Sequence, residues 1–143
     1  MIEAIVEELE AKRALFRALE PVVGPQAVLA TNTSSLSVTA IAPACERPGR
    51  VAGLHFFGPV PLMKVVEVID GARTEPWVAG QLVALAERIG HAPVRAQDSP
   101  GFLVHHAGRG YGTEAPRLLA EGVAEFHVLD DILPAEIPLP AIA

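Results

Sequence analysis

The stretch VAGLHFFGPVPLMKVVEVID, residues 51–70, constrains this chain most. It holds two apolar runs separated by GPVPLM, and each run has the length of a buried strand rather than of a helix. Burial disfavours ionisable side chains, yet each run carries one: His55 in the first and Glu67 in the second. Spacing alone leaves two readings open. If the strands are neighbours, the carboxylate holds the imidazole in one tautomer and stabilises its protonated form, which is what a histidine general base needs. Otherwise His55 is a core histidine bound to a backbone carbonyl, and Glu67 faces solvent at a sheet edge. Strand alternation is expected to put Phe56 and Val65 on the face opposite the reacting groups.

The rest of the chain supplies an α/β rhythm. Residues 7–20 space Leu9, Leu15, Phe16 and Leu19 as a helix that Pro21 and Gly24-Pro25 close. AVLAT (27–31) is a short strand, and the following NTSSLSV can cap a helix over about 37–44 through Ser34 or Ser37. TEPWVAGQLVALAERIG (74–90) predicts a helix capped by Thr74, opened by Pro76 and ended by Gly90. HAPVRAQD predicts another strand, SPG a turn, and residues 102–122 a helix despite three glycines and Pro116. The start, MIEAIVEELEAKR, predicts a helix with no strand before it, as in a fragment that begins inside a domain. The tail ILPAEIPLPAIA is expected to be disordered.

Bulk chemistry excludes several functions. A net charge of -6 over 143 residues lacks the basic footprint of a nucleic-acid binder. A single cysteine, Cys45, excludes an internal disulfide and a cysteine-built zinc cage. No run is long enough for a membrane span, and the N-terminus has no signal-peptide pattern, so a cytoplasmic protein is expected.

Other candidates carry competing structural readings. Ser34 follows a strand in a loop leading to a helix, where open α/β sheets bind ligands; its alternative is a helix cap. No G-x-S-x-G surrounds it, which argues against a hydrolase nucleophile. GRGYG (108–112) lacks dinucleotide spacing and follows no strand, and no such fingerprint occurs anywhere in the chain. His105 and His106 diverge by about 100° on a helix, so no metal site is expected. Cys45 reads as a small buried hydrophobe and His91 as an exposed turn residue.

Taken in order, IEAIVEELEAKRALF, ATNTSSLSV, GLHFFGPVPLMKVVEVI and DSPGFLVHHAGRGYGTEAPRLLAEG resemble consecutive blocks of the NAD-dependent 3-hydroxyacyl-CoA dehydrogenases, over about residues 2–133. That resemblance implies the C-terminal half of a Rossmann-like NAD-binding domain (1–99, without the glycine-rich loop). The first helix of an all-α C-terminal domain (100–133) and a disordered tail (134–143) would follow. It implies His55 and Glu67 as a catalytic dyad, with Ser34 binding the reacting oxygen. NAD would meet Glu7, Lys12 and Asn32. The implied reaction oxidises (S)-3-hydroxyacyl-CoA to 3-oxoacyl-CoA, with acyl-CoA as partner and association through exposed edges or as a homo-oligomer.

The chain departs from the family pattern at His105, a substrate-binding position where the family has Asn, and at Gly58, where it has Asn in HFFNP. Pro116 would cost about 3 kcal/mol inside a helix. A second reading is therefore a catalytically dead remnant acting through exposed sheet edges. A third is a metal-dependent hydrolase built on His55, His105 and Glu67.

Overall fold

The computed structural model describes residues 1–129 and 131, which fall into two compact units: Met1–Leu103, and a second that begins at Val104. The first is an α/β unit around one five-stranded sheet. Its strands lie in the spatial order β1 (Ile2–Glu3), β2 (Leu29–Thr31), β3 (Val51–Phe56), β4 (Val65–Asp70), β5 (Ala92–Gln97). β1, β2 and β3 are parallel, β4 is antiparallel to β3, and β5 is parallel to β4. Helices α1 (Leu9–Leu19), α2 (Val38–Ile41) and α3 (Pro76–Arg88) connect them.

Strand parity sorts the core into two layers. Ala52, Leu54, Val66 and Val68 project to one face and pack with Val78, Ala79, Leu82 and Ala86 of α3. Leu29, Val51 and Ile69 project to the other, against Phe16 of α1, Val38 and Ile41 of α2, and Phe102. His55 and Glu67 have the parity of this second layer. Phe56 packs against the α3 layer as expected. Val65 does not belong with it: sharing the parity of Glu67, it lies on the Glu67 face, and Val66 is the residue paired with Phe56.

Three local expectations are corrected. A strand does precede α1: Ile2 and Glu3 pair with Ala30 and Thr31. Two residues, one of them charged, give no periodic signal, so only partner geometry reveals β1. Thr74 does not cap α3, whose N-cap position is Glu75 with no side-chain bond. Instead the Thr74 hydroxyl donates to the Val51 carbonyl at 2.7 Å and accepts from the Gly71 N–H at 2.9 Å. His91 is not an exposed turn residue: both ring nitrogens are shielded from solvent, and the ring meets Phe56 edge-on at 5.3 Å. By contrast Pro76 opens α3, and Gly90, at φ 81°, takes the left-handed conformation just past its end. Ser37 caps α2 by accepting from the Ala40 N–H.

In the second unit α4 (Val104–Ala120) runs through Pro116 and takes in the GRGYG segment, which is therefore helix and not a phosphate loop. The tail assigned to 134–143 lies outside the described residues. No helix among the described residues is long and apolar enough to cross a membrane.

Candidate active site

The register of β3 and β4 sets His55 directly across from Glu67. Their side chains meet, His55 Nδ1 to Glu67 Oε2, at 2.7 Å, with both residues buried. The solvent-facing alternative for Glu67 fails, since it is 0% exposed. Its second oxygen, Oε1, accepts the Leu103 N–H at 3.0 Å. That N–H is aimed by a tight turn after β5, in which Gly101 (φ 78°) and Phe102 (φ 47°) are both left-handed and the Phe102 N–H donates to the Ser99 carbonyl. A non-glycine residue at positive φ is costly and persists only where its surroundings hold it; here the Phe102 ring is locked in the core. Phe57 and Phe102 flank the imidazole at centroid distances of 4.5 and 5.9 Å. Apolar walls lower the local dielectric and strengthen the carboxylate's hold on the ring.

Ser34 stands in the turn after β2, half-buried, and its N–H donates to Glu7 Oε1 at 2.9 Å. The same oxygen accepts the Ser35 N–H at 3.0 Å, the Ser35 hydroxyl at 3.1 Å and the Thr33 hydroxyl. Partial burial raises the Glu7 pKa, but these bonds and the Lys12 charge outweigh it and hold the carboxyl down at about 2. Lys12 is turned inward, 1% exposed, with Nζ bound to Glu3 Oε1 (2.6 Å), the Ile5 carbonyl (3.2 Å) and Glu7 Oε2 (3.3 Å). Of the residues implied as cofactor contacts, Lys12 is thus turned inside the protein, while Glu7 is exposed and tied to the turn after β2.

Asn32 also has structural work: its Oδ1 accepts the Phe56 N–H at 2.9 Å, tying the end of β2 to β3 beside His55. His105 lies in α4 of the second unit. Gly58 is exposed in the loop after β3. Among the described residues no group of three or more His, Cys, Asp or Glu side chains could hold a metal ion. Sequence reasoning missed Leu103, whose contribution is a backbone N–H, and Glu3 and Thr31. A glutamate inside the apolar opening IEAIV was the available hint of a buried carboxylate.

A largely parallel β–α arrangement with an imidazole–carboxylate pair near the carboxyl end of β3 is the architecture of a nucleotide-cofactor α/β domain. Comparison with known proteins makes this specific. A sequence model of the 3-hydroxyacyl-CoA dehydrogenase NAD-binding domain matches residues 1–99. The 3-hydroxyadipyl-CoA dehydrogenase of Escherichia coli K12 is 50% identical over 133 residues, 93% of this chain and 28% of that protein. A probable 3-hydroxybutyryl-CoA dehydrogenase of Bacillus subtilis is 42% identical over 133 residues, again 93% of this chain and 46% of its own length. The crystal structure of an E. coli K12 3-hydroxybutyryl-CoA dehydrogenase superposes with a TM-score of 0.88 at 49% identity, covering 97% of this chain and 30% of that one.

The chain belongs to the 3-hydroxyacyl-CoA dehydrogenase family, whose matched domain binds NAD. It spans less than half the length of each of these relatives. That the relatives are enzymes favours the oxidoreductase reading over that of an interaction fragment.

The described residues fit one end of NAD and not the other. Asn32, Ser34 and His55 gather near the carboxyl ends of β2 and β3, the expected place for a nicotinamide and its substrate. A pyrophosphate needs free N–H groups at a helix start. The first turn of α1 instead carries Glu10, with Glu8 at the N-cap and Glu7 just before it, and that of α2 is occupied by the Asp98 carboxylate, which accepts the Val38 and Thr39 N–H groups.

Proposed function

We propose that this chain carries the proton-handling residues of an NAD-dependent oxidation of (S)-3-hydroxyacyl-CoA to 3-oxoacyl-CoA. One observation supports the reading above all: the 2.7 Å contact between buried His55 and Glu67. With Nδ1 held by the carboxylate, Nε2 is the nitrogen that takes the proton of the substrate 3-hydroxyl. Glu67 orients the ring and offsets the positive charge that develops on it; the Leu103 N–H keeps the carboxylate in place. Ser34 donates its hydroxyl to the reacting oxygen as carbonyl character grows. NAD, when bound, supplies the hydride acceptor. Asn32 belongs to the nicotinamide side in this reading, and His105 to the thioester or 3-oxygen.

The test is NADH consumption with acetoacetyl-CoA by the chain beside a His55→Ala control. Turnover that falls by about 10²–10⁴-fold in the control supports general acid–base work by His55. Absence of turnover, or equal turnover in both, removes the proposal for this chain.

A further inference from the structure

Glu3, Thr31, Thr33, Lys12 and Glu7 form a closed ring of polar contacts that the proton transfer does not use. Glu3 Oε1 takes the Lys12 ammonium at 2.6 Å. Lys12 Nζ lies 3.3 Å from Glu7 Oε2. Glu7 Oε1 accepts the Thr33 hydroxyl and the Ser34 and Ser35 N–H groups. The circuit closes on its other side, where the Thr33 N–H donates to Thr31 Oγ1 at 3.3 Å and the Thr31 hydroxyl donates to Glu3 Oε2 at 2.7 Å. Glu3, Lys12, Thr31 and Thr33 are all 3% exposed or less.

Stability alone is a weak reason for such a ring. Desolvating a buried ion pair consumes most of its Coulombic gain, and apolar residues of similar volume often do as well. Geometry is the stronger reason. Thr33 is gripped twice, by its hydroxyl from the Glu7 side and by its N–H from the Thr31 side. Two anchors on one residue, followed by two successive N–H groups on one carboxylate oxygen, fix the backbone from 33 to 35. They therefore fix where the Ser34 side chain leaves it. Lys12 Nζ donates to Glu3 Oε1 and to the Ile5 carbonyl and faces Glu7 Oε2 as an ion pair, so its charge is directed at the ring.

We propose that Lys12 and Glu3 are positioning residues, acting through Glu7 and Thr31 to set the Thr33–Ser35 turn and the direction of the Ser34 hydroxyl. The importance of that direction rests on Ser34 binding the reacting oxygen; the ring itself does not.

The test is amide hydrogen exchange by NMR on the full chain, which reads the turn rather than turnover. Lys12→Met is expected to speed exchange at the Ser34 and Ser35 N–H groups by about tenfold relative to Val66 and Val68 in β4, the scale of one lost hydrogen bond. A general loss of stability would move all four together, and that result overturns the proposal. Should Lys12→Met fail to fold, Thr31→Val cuts the ring from its uncharged side and must show the same local effect at Thr33 and Ser34. Glu7→Gln keeps an acceptor oxygen and is expected to restore most of the protection that Glu7→Ala loses; equal exchange in the two variants also overturns it. A protected turn in a chain without turnover would sink the catalytic reading and leave the ring standing.

Discussion

Glu67 reaches His55 at 2.7 Å because the antiparallel pairing of β3 and β4 makes the two residues directly opposed partners. The hairpin is thus more than a support. A one-residue slip in register would send Glu67 to the α3 face and replace it with an aliphatic neighbour. The register is held by core residues on both faces, Leu54 and Val68 on one, Gly53 and Ile69 on the other. Packing far from the imidazole therefore sets its hydrogen bond.

The contacts of Glu67 with His55 and with the Leu103 N–H can be separated. Glu67→Gln keeps a carbonyl oxygen for the Leu103 N–H and is expected to unfold near the wild-type urea midpoint. Glu67→Leu removes this acceptor from both His55 Nδ1 and the Leu103 N–H, and is expected to cost about 1–3 kcal/mol relative to Glu67→Gln. Equal midpoints for the two variants would show that the carboxylate is not the group holding the turn.

How much of this was legible in the sequence differs from residue to residue. Strands β2 to β5 and helices α1 and α3 announce themselves through apolar periodicity and Pro or Gly punctuation, and the structure places them where the pattern does. The pairing of His55 with Glu67 was legible only as a condition, since hydrophobic spacing gives strands but not neighbours. β1 was invisible because two residues carry no period. The inward turn of Lys12 was hidden for another reason: an isolated lysine on an amphipathic helix looks solvated unless the buried carboxylate of Glu3 is known to be beneath it. The Val65 assignment failed on parity, which the pairing of His55 with Glu67 settles.

Two carboxylates give the chain a defined acid response. The Glu7 carboxyl is held at about 2 against an ordinary 4.5, and Asp98 is lowered from its ordinary 3.8; in each, hydrogen bonds outweigh the opposing effect of burial. A folded-state pKa below the unfolded one means the unfolded chain binds more protons in acid. The stabilisation is full above the unfolded value and lost as pH falls through the folded one. Urea midpoints are therefore expected to fall between about pH 5 and about pH 2, and Asp98→Asn is expected to fall less steeply. A variant slope as steep as wild type would exclude Asp98 as a source.

Gly53 is the glycine that close packing requires. A Cβ there would lie 2.8 Å from both Cβ and Cδ1 of Ile69 and 3.1 Å from Val38 Cγ2. The Cδ1 can rotate away, but the Cβ is fixed to the backbone. Gly53→Ala is expected to destabilise by about 1–3 kcal/mol. Gly80 supplies the control: on the exposed side of α3, with nothing within 4 Å of its added Cβ, its replacement by Ala is expected to stabilise by about 0.5–1 kcal/mol. Thermal unfolding of the two variants should move in opposite directions, and a stabilised Gly53→Ala would mean that β3 and α2 pack more loosely than described.

Gly58 tests the departure from the family pattern most directly. It stands three residues after His55, is exposed, and has no neighbouring atom within 4 Å of an added Cβ; its φ is not in the left-handed region that excludes side chains. Asn, the residue of the HFFNP pattern, therefore meets no steric obstacle, and Gly58→Asn is expected to leave stability within about 0.5 kcal/mol. If the missing amide limits the chain, the same substitution raises acetoacetyl-CoA reduction over wild type, with His55→Ala abolishing the gain. A folded, equally stable Gly58→Asn protein with unchanged turnover would place the limitation elsewhere, with the unmet pyrophosphate end of NAD the first place to look.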